Sequence, residues 1–280
     1  MKTKKICYNC KESSNNKKSV VKKKVAPWKL KMGLKTHFPN DIIMPVKIRY
    51  PKKYDSHYEL KLDKRYANRY VYYYCANKKE TKKCLTSFSS EEVYGDGFNN
   101  RGVAKCDING IAKIKFRCPQ AYYVDNKDKL HLPHLHYFIS DTKNEKWNEK
   151  LYTERIICDL NKKQLKETID NQCAVVLNAL PFHEYMKARI PNSIPVPYDT
   201  LKENKLNKKE FIKYFKDMLV HYPKINKKII NGELKIENTP IVVYCYYKKC
   251  DASSILIEQL IDYGFVDIKE YSAGIVGWNK

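Results

Sequence analysis

The sequence predicts two folded domains behind a basic tail: an antiparallel β-sandwich over residues 40–152 and an α/β domain over residues 153–280. Short β-prone runs separated by Asn, Gly, Asp and Lys clusters fill the first region. In the second region, buried strand-like runs alternate with runs that have helical hydrophobic spacing. A length of 280 residues also suits two domains of ordinary size.

The charge balance is strongly basic. Lys and Arg number 54 and Asp and Glu 31, which gives a formal net charge of +23. One explanation is an anionic partner such as nucleic acid. The other is coding bias, because Lys, Asn, Ile and Tyr are abundant along the whole chain. Both explanations stay open at this stage.

Residues 1–39 are dominated by Lys with Ser and Asn and lack hydrophobic periodicity. This composition predicts a disordered basic tail, through which an anionic partner would bind. The tail contains Cys7 and Cys10 at the spacing of half a zinc knuckle. Cys75 and Cys84 are the other candidate ligands, but they lack the matching Cys-x2-Cys spacing, so a solvated and redox-labile pair is the alternative.

The sequence also bears on the cellular compartment. Residues 1–5 are basic, and the apolar run of a secretory signal does not follow them. No segment approaches the length of a membrane span. We therefore expect the ten cysteines to be mostly reduced and the protein to be cytoplasmic or virion-associated, not secreted and without a membrane partner.

The first domain is predicted from five β-prone runs and one turn. Asn109-Gly110 is the dipeptide most typical of a hairpin turn. Strands at this spacing, separated by turn residues, favour an antiparallel sandwich. The runs are residues 58–62, 70–75, 103–107, 112–116 and 134–140.

Two histidines in the last of these runs indicate metal binding. His134 and His136 are two residues apart on a strand, so their side chains lie on one face and can ligate one metal ion. Tyr122 lies upstream, and a tyrosinate is an apt ligand for ferric iron. His131 falls outside this alternation, and we expect it to be a solvated loop residue.

The residues around this site resemble the metal-binding core of intradiol ring-cleavage dioxygenases. The resemblance implies Tyr122, His134 and His136 as iron ligands and Tyr94 as the fourth. Leu132 stands where that family has a catalytic arginine. Three roles are therefore open: a scaffold or binding module, a metal site of unknown chemistry, or an iron-dependent ring-cleaving oxygenase. The matching residues are Gly102-Val103-x-x-Cys106-x-x-x-Gly110, Phe116, Pro119, Tyr122 and Pro133-His134-x-His136.

The second domain begins with a helix and a buried strand. Asn161 and Gln164 form a variant capping box before the apolar Leu165. Residues 175–177 predict a buried strand, and residues 181–188 a short helix that starts at a proline.

A cysteine lies where a later strand turns into a helix. Residues 241–244 predict the strand, and the apolar spacing at 255–261 predicts the helix, with Gly264 as its left-handed C-cap. A second strand is expected over residues 265–269. Because loop N–H groups and the helix N-terminus would point at Cys245, we expect its pKa to fall and its thiolate to be favoured.

This second domain resembles a rhodanese over residues 153–280. The resemblance implies a central parallel sheet and a catalytic Cys245 that carries sulfane sulfur as a persulfide. It also implies a small sulfane donor, a thiol acceptor and no required cofactor. The matching segments are Ile190-Pro191-Asn192-Ser193-Ile194-Pro195, Gly264-Phe265-x-x-Ile268-x-x-Tyr271 and Ala273-Gly274-Ile275-x-x-Trp278.

The loop after Cys245 resembles a two-cysteine variant of that family. Phosphatases of similar shape need an arginine six residues after the cysteine, but that position holds the anionic Asp251. Sulfur transfer needs only a thiolate, N–H donors and local positive charge. Cys250 is either a second thiol that resolves the persulfide into a disulfide or a small buried residue that closes the loop. The loop residues between the two cysteines are Tyr246, Tyr247, Lys248 and Lys249.

The sequence therefore predicts a sulfurtransferase-type protein fused to a dioxygenase-like sandwich. Two alternatives come from other functional classes. One is a non-enzymatic structural or nucleic-acid-associated protein, for example of a virion, in which both domains only bind. The other is an iron-dependent ring-cleavage oxygenase.

Overall fold

The computed structural model describes residues 42, 44–77, 85, 88–94, 99–124, 129–202 and 206–280. The chain divides into two compact units between Ile156 and Ile157, where the sequence placed the division between residues 152 and 153. Leu85 groups with the second unit. The expected basic tail with Cys7 and Cys10, and also Cys84, lie outside the described residues.

The first unit is built from antiparallel strands. One sheet has the strand order β3-β2-β7-β8, and two further pairs are β1 with β4 and β5 with β6. Strand β8 completes the four-stranded sheet, which is why the unit extends to residue 156. The antiparallel strands are confirmed, and a dioxygenase-like sandwich stays a prediction. The elements are β1 (Ser56–Lys61), β2 (Tyr70–Cys75), α1 (Ser90–Tyr94), β3 (Arg101–Lys105), β4 (Ile111–Phe116), β5 (Tyr122–Val124), β6 (Lys129–His131), β7 (His134–Ile139) and β8 (Tyr152–Arg155).

The predicted turn at Asn109-Gly110 is confirmed, but it joins strands of different sheets. The Asp107 carboxylate accepts hydrogen bonds from the N–H groups of Asn109 and Ile111 at 2.8 and 2.9 Å. Gly110 has a φ of +77°, which favours glycine. Strands β3 and β4 are joined by a single bridge, Cys106 to Ala112, so the turn is a corner between sheets.

The core of the first unit is rich in aromatic side chains. Tyr72 and Tyr74 alternate along β2 and pack into one cluster with Phe138 and Trp147. The Trp147 indole is satisfied by donating to the carbonyl of Ile42 at 2.7 Å. This packing holds the face of β7 that carries His136.

The second unit is an α/β domain with a four-stranded parallel sheet in the order β10-β9-β11-β12. The predicted parallel sheet is therefore confirmed. Across the described residues of both units, every helix is too short or too polar for a membrane span. The elements are α2 (Lys162–Asn171), β9 (Val175–Asn178), α3 (Phe182–Lys187), β10 (Ile194–Pro195), α4 (Tyr198–Lys202), α5 (Lys208–Met218), α6 (Pro223–Ile230), β11 (Ile241–Tyr244), α7 (Ala252–Asp262), β12 (Ile268–Tyr271) and α8 (Gly274–Trp278).

The start of α2 and the end of α7 follow the predicted capping chemistry. Asn161 and Gln164 form a reciprocal capping box. Gly264 has a φ of +94°. The N–H groups of Gly264 and Phe265 still donate to the carbonyls of Ile261 and Leu260, both at 2.9 Å. Because the N–H of Phe265 is used in this C-cap, the strand begins at Ile268, three residues later than expected.

The thiols were expected to be mostly reduced, and three of the seven described cysteines depart from this expectation. Cys118, Cys158 and Cys173 are disulfide-bonded. Cys75, Cys106, Cys245 and Cys250 are free and buried. Disulfides depend on proximity in the folded chain, which cysteine counts do not encode. The cytoplasmic or virion-associated location stays a prediction.

Candidate active site

Cys245 lies at the carboxyl end of the central strand of the parallel sheet. Strand β11 has β9 on one side and β12 on the other, and α7 begins seven residues after the thiol. The Cys245 side chain is fully buried. A thiol at this place is held by the sheet on one side and by the first turn of a helix on the other.

The backbone of Cys245 is in close contact with the start of α8. The N–H groups of Ile275 and Val276 donate to the carbonyls of Cys245 and Tyr246 at 3.1 and 3.0 Å. Gly274 has a φ of +59°, and a Cβ there would lie 2.5 Å from the Cys245 oxygen. The glycine of the Ala273-Gly274 pair is therefore required by close backbone approach.

Three oxygen atoms surround the Cys245 sulfur. The Ser253 Oγ lies 3.3 Å from Sγ, and the carbonyl oxygens of Cys250 and Tyr247 lie at 3.4 and 3.7 Å. The Ser253 hydroxyl is also 2.6 Å from the Glu270 carboxylate oxygen Oε1. Ser253 thus bridges the thiol and a carboxylate.

The expectation of a lowered thiol pKa is wrong. A hydrogen bond with the Cys250 side chain, burial and the Cys250 charge together raise the pKa of Cys245 well above its ordinary value. The Ser253 hydroxyl and backbone N–H act in the opposite direction but are outweighed. The thiol is fully desolvated, and the N–H donor at its sulfur belongs to α7 instead of the loop. Cys245 is accordingly a thiol in the resting protein and needs a base to react.

The loop residues divide into a buried side and an exposed side. Tyr246 and Tyr247 are half-buried and pack edge to face at 6.0 Å between ring centroids. Lys248 and Lys249 are exposed and add positive charge at the surface of the loop. Asp251 is exposed as well, and it precedes α7 without a side-chain capping bond.

Cys250 faces Cys245. It is buried, free and hydrogen-bonded to the Cys245 thiol, as expected for either role proposed from the sequence. Its N–H donates to the Tyr247 carbonyl at 2.9 Å, which closes the loop.

Sequence reasoning missed Ser253 and Glu270 as site residues. Two signals were available. Ser253 lies in the first turn of the helix that follows the Cys245 loop, and Glu270 is a half-buried charged residue of the edge strand β12. Neither signal indicates contact, because the contact depends on how β12 lies beside β11.

A second polar cluster lies in the first unit. His134 and His136 project from the same face of β7, and their Nε2 atoms are 3.0 Å apart. The Tyr122 hydroxyl is 3.2 Å from the His134 Nε2. The Nδ1 atoms of the histidines face the Leu132 carbonyl and the Thr153 hydroxyl at 2.6 and 2.8 Å. Burial lowers the pKa of His134 to about 4, so this imidazole is neutral at pH 7.

The structure brings all four predicted metal ligands together. Tyr94 packs edge to face on Tyr122, with ring centroids 5.4 Å apart. Burial and the neighbouring Tyr122 phenol raise the pKa of Tyr94 well above its ordinary value. Burial raises the pKa of Tyr122 to about 12. His131, expected in solvent, is instead buried on β6 and stacks on Tyr122 at 5.6 Å, because pairing of β5 with β6 turns it inward.

Other metal chemistry is limited in the part of the chain that the structure describes. There, no three His, Cys, Asp or Glu side chains gather closely enough to hold a metal ion. A metal at the histidine pair therefore depends on tyrosine oxygens. Cys75, a candidate zinc ligand, is a free buried thiol on β2.

Residues 161–280 match the family model of the rhodanese-like domain, so this part of the chain is a rhodanese-like domain. None of the curated proteins matches the chain. Several solved structures are similar to a part of the chain. A rhodanese-related protein of Thermoplasma volcanium is 20% identical over 44% of this chain and 90% of its own, with a TM-score of 0.28.

Two other similar structures are sulfurtransferases by their descriptions. The human single-domain sulfurtransferase TSTD1 is 12% identical over 43% of this chain and 94% of its own, with a TM-score of 0.31. A thiosulfate sulfurtransferase of Pseudomonas aeruginosa is 20% identical over 44% of this chain and 19% of its own, with a TM-score of 0.29.

Proposed function

We propose that this protein is a sulfurtransferase-type protein in which Cys245 carries sulfane sulfur as a persulfide. The observation that carries the proposal is the position of a free thiol at the carboxyl end of the central strand, inside a rhodanese-like domain. The thiolate attacks the outer sulfur of a donor such as thiosulfate. The Sγ–S bond forms, the donor S–S bond breaks, and sulfite leaves with the electron pair.

The acceptor half of the cycle uses a small thiol. The acceptor thiolate takes the outer sulfur from the persulfide, and Cys245 returns as a thiolate. No cofactor is required for either half. A donor reaches Sγ only when the loop moves, because the thiol is fully buried. Lys248 and Lys249 on the exposed side of that loop provide positive charge for an anionic donor.

Phosphate ester hydrolysis fits the site less well. The position six residues after Cys245 holds Asp251, whose charge repels phosphate, and the two-pronged grip of an arginine is missing at that position. Sulfur transfer needs no such grip.

Cys250 offers a second route by which the sulfane sulfur can leave Cys245. Its thiol can attack Sγ of the Cys245 persulfide, which releases hydrosulfide and leaves a Cys245–Cys250 disulfide. The hydrogen bond between the two side chains supports this role, because it places both sulfurs on the same side of the loop. An external thiol would then reduce the disulfide.

The test is thiocyanate formation from thiosulfate and cyanide by the purified full chain. We expect turnover by the wild type and its loss in Cys245→Ser. Cys106→Ser is the matched control, since Cys106 is a free buried cysteine of the other unit. Equal activity in the wild type and in Cys245→Ser would contradict the proposal. Inactivity of both would favour a non-enzymatic binding protein.

A second candidate function concerns metal binding by the first unit. The observation that favours it is the pair of Nε2 atoms 3.0 Å apart. The Leu132 carbonyl can only accept a hydrogen bond, so His134 Nδ1 is protonated and the lone pair of His134 Nε2 faces His136 and Tyr122. This donor set fits a metal ion, and imidazole with phenolate suits ferric iron.

Tyr94, Tyr122, His134 and His136 would hold the metal. Bound there, ferric iron would act as a Lewis acid toward an oxygen ligand. Leu132 O and Thr153 orient the two imidazoles, as outer hydrogen bonds do in metal sites. The alternative is a proton shared between the histidines in a scaffold domain. Iron uptake after reconstitution separates the two, since a scaffold binds none.

A further inference from the structure

Ser253 cannot donate its one proton to both of its neighbours. Its Oγ is 3.3 Å from Cys245 Sγ and 2.6 Å from Glu270 Oε1. The shorter contact has the length typical of a hydroxyl that donates to a carboxylate. In the resting protein the Ser253 proton therefore points at Glu270, and the Ser253 oxygen is left to accept a hydrogen bond from the thiol.

The thiol has other hydrogen-bonding neighbours, namely the Cys250 side chain, which raises its pKa, and two carbonyl oxygens. The carbonyl oxygens of Cys250 and Tyr247 lie 3.4 and 3.7 Å from Sγ, and a peptide carbonyl does not take up a proton near neutral pH. Ser253 is the nearest of the three oxygens and is bonded to a group that does titrate. A continuous hydrogen-bond path thus runs from the sulfur to a carboxylate.

We infer that Glu270 is the proton acceptor for Cys245 and acts through Ser253, in a thiol–hydroxyl–carboxylate relay. The inference rests on the proposed function of Cys245 and adds two residues to it. Ser253 contacts the reacting sulfur, whereas Glu270 acts through Ser253.

The relay keeps both hydrogen bonds of the Ser253 hydroxyl and reverses their direction. The thiol proton moves to Ser253 Oγ as the Ser253 proton moves to Glu270 Oε1. Cys245 becomes a thiolate, Glu270 becomes a neutral acid, and Ser253 remains a hydroxyl that now donates to Sγ. The thiolate is then free to attack the outer sulfur of thiosulfate, and sulfite departs with the electron pair of the broken S–S bond. After the outer sulfur has left, the same path returns the proton to Cys245.

The relay supplies a proton acceptor for the buried thiol. The pKa of Cys245 is raised by the Cys250 hydrogen bond and by burial, so bulk water provides little thiolate at neutral pH. An internal base within two hydrogen bonds can take up the proton as the sulfur attacks. Glu270 is positioned for this by the sheet, since it pairs with Val243 on β11, two residues before Cys245.

Other ionisable groups lie near the relay. Cys250 belongs to the loop, and Asp159 lies beside β12, where its carboxylate accepts from the Ser272 hydroxyl and backbone N–H. Lys269 precedes Glu270 and is bonded to Asp267. These groups are unchanged in the variants below, so differences between pH profiles report on the relay.

The experiment compares Glu270→Gln and Ser253→Ala with the wild type in the full chain. Two rates are followed across pH: alkylation of the Cys245 peptide by iodoacetamide, and persulfide formation with thiosulfate. Glu167→Gln and Ser254→Ala are the matched controls, since Glu167 is exposed on α2 and Ser254 is the neighbour of Ser253 on α7.

Glutamine keeps the shape of Glu270 and a hydrogen bond to Ser253 but accepts no proton. We expect both rates at pH 7 to fall about 100-fold in Glu270→Gln and in Ser253→Ala. In the wild type the alkylation rate should depend only weakly on pH near neutrality, because the base is internal. In both variants it should instead rise about tenfold per pH unit into the alkaline range.

Matching profiles in the wild type and Glu270→Gln would overturn the relay. If Glu270→Gln loses its near-ultraviolet circular dichroism, Ser253→Ala decides, because it removes the bridge and leaves the carboxylate. A wild type that takes up no sulfur but is alkylated in a Glu270-dependent way would refute the proposed function and support the relay. Sulfur uptake that is equal in all of these variants would support the proposed function and refute the relay.

Discussion

The N–H of Ile275 donates a hydrogen bond to the carbonyl oxygen of Cys245 at 3.1 Å. This bond joins the start of α8 to the backbone of Cys245. The approach is possible because Gly274 has no side chain, and its φ of +59° is one that glycine adopts at little cost. The position of the thiol therefore depends on a glycine that follows it by 29 residues.

Gly274→Ala is expected to destabilise the second unit and to reduce sulfur transfer. The new Cβ would lie 2.5 Å from the Cys245 oxygen, so the backbone would have to move, at a cost of roughly 3 kcal/mol. Gly232→Ala is the matched control. Gly232 also has a positive φ, of +72°, but has no heavy atom within 4 Å of its Cβ position, so only about 1 kcal/mol is expected. Chemical denaturation measures both, and equal costs would refute the close-approach argument.

Cys250→Ala is expected to make Cys245 titrate at lower pH. The hydrogen bond with Cys250 is the largest cause of the raised Cys245 pKa, so removing it favours the thiolate. The alkylation profile of the Cys245 peptide should then move toward neutral pH. Cys106→Ala, in the other unit, should leave the profile in place. An unmoved profile in Cys250→Ala would show that burial alone sets the pKa.

The same variant tests the resolving role of Cys250. After sulfur loading, the wild type is expected to release hydrosulfide and to form a Cys245–Cys250 disulfide, because the two thiols are hydrogen-bonded. Cys250→Ala should keep its persulfide longer and release no hydrosulfide. Peptide mass spectrometry under non-reducing conditions identifies the disulfide. Hydrosulfide release at wild-type rate from Cys250→Ala would leave Cys250 with only a structural role.

Iron added to the metal-free protein is expected to produce colour. Tyrosinate bound to ferric iron absorbs visible light through charge transfer, and Tyr122 lies 3.2 Å from His134. His136→Ala should abolish the absorbance, whereas His57→Ala should not, since His57 is exposed on β1. A colourless protein that retains no iron after gel filtration would reduce this unit to a scaffold.

The parts of the fold that depend on local sequence were predictable. The capping box of Asn161 with Gln164, the C-cap at Gly264 and the strand before Cys245 all depend on neighbouring residues, and each is present. The central parallel sheet came from family resemblance. Contacts between distant segments were not predictable: the disulfides, the burial of His131, and the bridge from Ser253 to Glu270 all join residues that only the folded chain brings together.

The predicted direction of the Cys245 pKa shift was wrong for a related reason. The sequence shows a helix start after the loop, which lowers a thiol pKa. It does not show that the side chain is fully buried or that Cys250 bonds to it, and these two effects outweigh the helix start. Because the Cys245 pKa is raised and not lowered, the thiol needs a base, and this is the role that we infer for Ser253 and Glu270.

The most direct test of the central claim is the intact mass of the full chain after incubation with thiosulfate and removal of the excess. We predict a gain of one sulfur atom in the wild type, located on Cys245 by peptide mapping. Cys245→Ser should gain none, and Cys106→Ser should gain as much as the wild type. A Cys245→Ser variant that gains sulfur as readily as the wild type would contradict the claim that Cys245 is the carrier.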